Sequence, residues 1–173
     1  MLISFINLSI HMREDSGQRL SKRRVLGRKD ARRLNDEIEA LLGPVEFITL
    51  SQAQVDYDVI VYLLDGVVQF ARQNDTLFPT LNNPNLGELP SVSVDMGAIP
   101  YVCNGADVMA PGIKEVRRDF EEGELVVVRD IEHGKALAIG ASLASSIEIK
   151  AMKKGKAIRN IHYVGDKLWK AIG

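Results

Sequence analysis

Cys103 is the only thiol in the chain, and with His162 it would make a nucleophile activated by a base. Nothing near either residue carries that chemistry further. Three histidines and one cysteine scattered over 173 residues build no metal site. No GxxxxGK[ST] loop, HExxH or GxSxG pattern occurs. Asp56, Asp58 and Asp65 fall at strand ends and turns. Cys103 is therefore expected to pack, and His162 to be a partly buried strand residue. No catalytic residue, metal or cofactor is expected.

The side chains that recur in number are cations, and they are unevenly distributed. Residues 13–33 hold nine Lys/Arg against three acids; residues 34–149 hold six against 19; residues 150–173 hold seven against one. The net charge of -1 hides this segregation, which is expected of a protein with a polyanion partner. Arg23, Arg24, Arg28, Lys29 and Arg32 in the first basic block are candidate phosphate contacts. So are Lys153, Lys154, Lys156, Arg159, Lys167 and Lys170 in the second. Such contacts would make binding salt-dependent.

A third candidate lies in "VSVDMGAIPYVCNGADVMAPGI", residues 92–113, which spends three glycines and two prolines on an otherwise apolar run. Asp95 is placed to cap a short helix. Gly97 and Ala98 keep backbone close to the surface where strand meets helix, and N–H groups there suit phosphate. Tyr101, Asn104 and Gly105 complete this crease. Trp169 is expected in the core, with stacking on a base as the alternative.

The elements that must hold these residues follow from periodicity. Arg23–Leu26 is expected as a strand. Gly27 opens a helix over 28–42, with Ala31, Leu34, Ile38, Leu41 and Leu42 forming one apolar stripe that Gly43-Pro44 stops. Its basic first turns oppose the helix dipole. Strands are expected at 45–50, 55–64 and 67–72, with Asp65-Gly66 as a two-residue hairpin turn. Another extended piece covers 77–81, and the turn-rich "NNPNLGEL" at 82–89 is a linker. Beyond it, strands are expected at 91–94, 106–110, 124–129, 135–141, 161–164 and 167–170, with one short helix after Asp95. The fold class is α+β: an α+β unit over 20–89, then a compact barrel over 90–173.

The apolar share is 46% and the charged share 26%, ordinary for a chain that buries a core. One cysteine excludes an internal disulfide and suits a reducing, cytoplasmic setting. Residues 1–19 read as an extension. Its apolar run 1–10 is an added strand or precedes a start near Met12, and it is too short to span a membrane and lacks signal-peptide flanks.

The run 92–113, with "GELVVV", "GKALAIG" and "IHYVGDKLWK" in that order, resembles a PUA domain, an RNA-binding module. "VVQFARQNDTLFPTL" and "IRNIHYVGDKLW" narrow the resemblance to the malignant T-cell-amplified-sequence family, whose members carry a pre-PUA domain before the PUA, and the basic strand and helix at 23–42 fit archaeal-type members. The similarity covers about residues 20–173. It implies a pre-PUA domain over 20–89 and a PUA pseudobarrel over 90–173, with RNA packed on the strand–helix junction and the last strands. It also implies a non-catalytic RNA-binding role in translation, on tRNA or small-subunit ribosomal RNA, in contact with the ribosome or a translation factor. Two other readings stay open: an accessory subunit or enzyme of RNA modification, and a protein-interaction module docking through its acidic middle. "KEVRRDFEEGE", residues 114–124, is more acidic than an RNA-contact loop should be.

Overall fold

The computed structural model describes residues 20–172; the extension 1–19, with its expected strand, lies outside them. In chain order the elements are β1 (Ser21–Val25), α1 (Arg28–Leu42), β2 (Leu50–Asp56), β3 (Val59–Leu64), β4 (Val67–Gln73), β5 (Thr76–Pro79), β6 (Ser91–Val94), α2 (Ile99–Val102), β7 (Val108–Met109), β8 (Ile113–Arg117), β9 (Leu125–Asp130), β10 (Ala136–Ser142), α3 (Ser146–Ala151), β11 (Lys156–Tyr163) and α4 (Lys167–Ile172). The first five strands form an antiparallel sheet in sequence order. The second sheet, ordered β7-β11-β10-β9-β6-β8, curls into a half-barrel whose single parallel pair is β6–β9.

The helix at 28–42 forms as its stripe requires, with Leu34, Ile38 and Leu42 buried against the first sheet. Asp65 and Gly66 both take positive φ (48° and 86°), as a tight hairpin between β3 and β4 demands.

Several expectations need correction. Residues 45–49 are irregular, because the Asp65 carboxylate accepts the N–H groups of Ile48 (3.0 Å) and Thr49 (2.7 Å) that a ladder would use. The run 55–64 is a hairpin, not one strand. The Asp56 carboxylate accepts the N–H of Tyr57 at 2.8 Å, and Tyr57 stands at the tip, 98% exposed. Residues 113–117 form β8 rather than a connection; it is an edge strand whose Lys114, Glu115 and Arg117 face water. Ser145 and Glu148 make a reciprocal capping box that starts α3, an element the strand reading passed over. Residues 167–172 are helical, because the Asp166 carboxylate takes the N–H of Trp169 at 2.6 Å. The strand expected at 161–164 is the end of the longer β11.

Two cores result. Val92, Val94, Val126, Val128 and Ile158 fill the half-barrel. The other core lies under the first sheet and also takes in Leu125, Val127, Ile139 and Leu168 from the second half of the chain. Alternate residues of β9 thus point to different cores, so the two sheets are tied through shared side chains. His162 is fully buried rather than partly: its Nδ1 lies 2.7 Å from the Asp166 carboxylate and its ring 6.1 Å from that of Phe78 on β5.

Candidate nucleic-acid interface

The crease is built from the end of β6. The N–H of Asp95 donates to Gly112 O, and its carboxylate accepts the N–H of Ala98 at 2.9 Å. That N–H is therefore engaged within the protein. Lys114 Nζ lies 3.2 Å from the same carboxylate. Pro100 sits in the first turn of α2, where its missing N–H costs nothing. Gly97 has ordinary φ, and a Cβ there would make ordinary contact with Asp95. Gly105 differs: its φ is +85° and a Cβ would stand 2.9 Å from the Tyr163 ring. The close approach in this crease is thus between Gly105 and Tyr163.

Asn160 and Asp107, neither of them marked by sequence, tie the crease to β11. The Asn160 amide donates to Val102 O (3.0 Å) and Ala106 O (3.1 Å). The Asp107 carboxylate accepts the N–H of Asn160 at 3.0 Å and pairs with Lys156 at 2.8 Å. The Lys156 ammonium, with the Asn160 N–H behind it, holds the Asp107 carboxyl below its ordinary range. Lys156 is thereby brought to the crease with a carboxylate beside it. Lys153 and Lys154 are exposed in the turn before β11, whose Gly155 carbonyl accepts the Ala110 N–H. Tyr101 is 71% exposed, and Asn104 is exposed at the end of α2. Met96 and Met109 are also exposed along this edge.

The other cations go elsewhere. Arg159 is exposed on β11 and borders a cleft of about 390 Å3 shared with Ala40 and Leu41 of α1. Lys167 lies 3.3 Å from Asp56 at the tip of the β2–β3 hairpin, and Lys170 is exposed in the last turn of α4. The N–H of Tyr57 and the Lys167 ammonium hold the Asp56 carboxyl low. Arg23 and Arg24 lie on the edge strand β1, and Arg28, Lys29 and Arg32 are exposed on the first turns of α1. With its amide oxygen turned toward Arg24, Gln52 accepts from the guanidinium twice, at 3.2 Å. Arg72 pairs with Glu37 at 2.5 Å and donates to the Tyr62 hydroxyl. Hydrogen bonds bring Lys156 to the crease, whereas the first block has its contacts within the first sheet and α1.

Burial pushes the Cys103 thiol up, so it is protonated at neutral pH. Among the described residues no cluster of His, Cys, Asp and Glu has the makings of a metal site, and no helix is long and apolar enough to cross a membrane.

The PUA domain family matches residues 90–164. The chain is 36% identical over 156 residues to an uncharacterized protein of Methanocaldococcus jannaschii, a match covering 87% of this chain and 96% of that one. It is 32% identical over 180 residues to translation machinery-associated protein 20 of Saccharomyces cerevisiae, covering 98% of this chain and 97% of that one. A crystal structure of a hypothetical protein from Pyrococcus horikoshii superposes with a TM-score of 0.77 at 30% identity, over 87% of this chain and 99% of that one. The chain belongs to the PUA-domain family of translation machinery-associated protein 20 and malignant T-cell-amplified sequence proteins.

Proposed function

We propose that this chain is a non-catalytic RNA-binding protein of the translation machinery. It grips a folded RNA, tRNA or small-subunit ribosomal RNA, in the cytoplasm, at the ribosome directly or beside another translation factor. The observation carrying this reading is the junction of α2, β7 and β11, where Asp107 and Asn160 set Lys156 against the crease, with exposed Lys153, Lys154 and Tyr101 around it. Lysines supply phosphate contacts there, and an exposed tyrosine supplies a face on which a base stacks. The name of the yeast relative, translation machinery-associated protein 20, links that protein to the translation machinery and supports the setting.

The division into a unit over 20–89 and a PUA unit over 90–173 belongs to the same proposal. In it the first unit presents Arg23, Arg24, Arg28, Lys29 and Arg32 as a second, electrostatic contact. The mechanism is positioning. The acidic side chains of the first unit that an RNA-modifying enzyme would need have structural partners: Asp65 accepts from the Ile48 and Thr49 backbone, Asp56 pairs with Lys167, and Asp58 accepts from Gln73.

The test is mobility shift with bulk tRNA and sedimentation with purified small subunits. Two variants are compared with the unaltered chain: Arg23, Arg24, Arg28 and Arg32 changed to Glu, and Lys153 and Lys154 changed to Glu. Both should bind more weakly, with a flatter salt dependence. Unaltered binding in either variant removes that patch from the interface.

A further inference from the structure

A second groove, of about 550 Å3, opens on the face of β8, β6 and β9 that turns away from Val92 and Val94. Its floor is set by register. Ser91 stands between Arg117 on β8 and Val127 on β9; Ser93 stands between Glu115 on β8 and Arg129 on β9. Neighbours across strands share a face, so two guanidinium groups flank two hydroxyls along a diagonal. Two strand spacings and two residues separate the arginine Cα atoms, roughly 12 Å. Two long side chains can close that gap on one small anion.

Ser91 and Ser93 are 6% and 7% exposed, and neither hydroxyl has a hydrogen-bond partner among the described residues. Both hydroxyl oxygens open onto the groove rather than being sealed in the interior, so their donors are free to turn toward a ligand there. The rim is fixed. Arg118, at φ 61°, donates to Gly87 O (2.5 Å) and Leu89 O (2.7 Å), locking the connection between the sheets along one wall. The Asp130 carboxylate accepts the N–H groups of His133 and Lys135, and the His133 N–H foremost holds it ionised within its own turn. Arg129 gives one N–H to Gly134 O at 3.0 Å and keeps the rest of its fork. Arg117 has no carboxylate partner among the described residues.

We propose that this groove binds one phosphorylated nucleotide unit. Arg117 and Arg129 meet the phosphate with the serine hydroxyls, which suits the planar guanidinium fork. Glu115, beside Ser93, accepts from a ribose hydroxyl or a base amine. A mixed wall of donors and acceptors fits a nucleotide better than a bare polyanion, and the volume lies in the range of small-ligand sites. The unit comes either from a free mononucleotide or from the end of the RNA; only the second source rests on the RNA-binding reading above.

The experiment follows backbone amide shifts by NMR in the full chain. The ligands are 5′-AMP and a short RNA carrying or lacking a 5′-phosphate. The amides of Ser91, Ser93, Arg117 and Arg129 should shift saturably with 5′-AMP. Arg117→Gln and the double change Ser91→Ala with Ser93→Ala should each weaken that response at least tenfold, whereas Lys153→Glu with Lys154→Glu should leave it unchanged. Competition by the phosphorylated RNA alone assigns the site to an RNA end. A response to 5′-AMP without competition from either RNA assigns it to a free nucleotide. A groove silent to both, or an unchanged response in Arg117→Gln, overturns the proposal. RNA binding at Lys153 and Lys154 beside a silent groove refutes the groove alone; a nucleotide response without RNA binding anywhere refutes the RNA reading alone.

Discussion

Gly105 leaves room for the Tyr163 ring: a Cβ at position 105 would stand 2.9 Å from both Cε1 and Oη of Tyr163. The pair, 58 positions apart, closes the end of α2 onto the end of β11, beside the Asn160 bonds to Val102 and Ala106.

Replacing Gly105 with Ala should therefore destabilise the fold by about 1–3 kcal/mol, from a strained positive φ and an aromatic ring forced aside. Urea unfolding measures this. Changing Tyr163 to Leu in the same chain should recover part of the loss, since it removes the clash but not the strain. A Gly105→Ala protein as stable as the parent would show that neither the positive φ nor the Tyr163 ring resists the added methyl.

Asp166 organises the last turn of the chain. Its carboxylate faces His162 Nδ1 at 2.7 Å and accepts the N–H groups of Tyr163 (3.0 Å) and Trp169 (2.6 Å). Burial pulls its pKa up, but the His162 hydrogen bond and charge with the two backbone donors outweigh it, and the carboxyl stays below its ordinary range. A folded pKa below the unfolded one gives stability that is fully present above the unfolded pKa and lost as pH falls through the folded one. Asp166→Ala should cost about 2–3 kcal/mol at neutral pH, through an uncapped α4 and an unpaired buried imidazole. The deficit should shrink in acid, below the ordinary carboxylate range. Denaturation curves across pH 2–7 test this; a deficit independent of pH would remove the carboxylate's charge from the account.

Leu168 is buried in the core under the first sheet although it belongs to the C-terminal helix. Leu168→Ala should cost about 2–5 kcal/mol. Because Leu125, Val127, Ile139 and Leu168 join the two sheets, the intact chain should unfold in one transition. Fluorescence of Trp169, the only tryptophan, and far-UV circular dichroism should give the same midpoint. Two separated transitions would contradict a shared core.

The cations differ in how much charge they have left to offer. Lys156 and Lys167 have carboxylates at 2.8 and 3.3 Å, whereas Lys153 and Lys154 are exposed in a turn without an ion-pair partner among the described residues. On the RNA-binding reading, Lys153→Ala and Lys154→Ala should each flatten the slope of log affinity against log salt by about 0.7–0.9, and Lys167→Ala by less. Equal slopes in all three variants would mean that the Asp56 pair opens when RNA binds.

Short-range chemistry was legible from residue order. The helix at 28–42 follows from an apolar stripe and a Gly43-Pro44 stop, and the Asp65-Gly66 turn from residues that tolerate positive φ. The strands of the half-barrel core follow from apolar runs, and the family from motifs in order. Even the missed α3 was announced by Ser145 and Glu148 three positions apart. The errors came where a distant or capping side chain overrode periodicity. Asp65 takes the N–H groups of residues 48 and 49, Asp56 turns the chain at Tyr57, and Asp166 makes a helix of residues expected as a short strand. Only the tertiary structure decided which cations are paired, that Asn160 and Asp107 anchor the crease, and that two serines lie between two arginines. A hydrogen bond or ion pair acts over a few ångströms, and those distances are set by residues tens of positions apart once the sheets pair, so no local pattern records them.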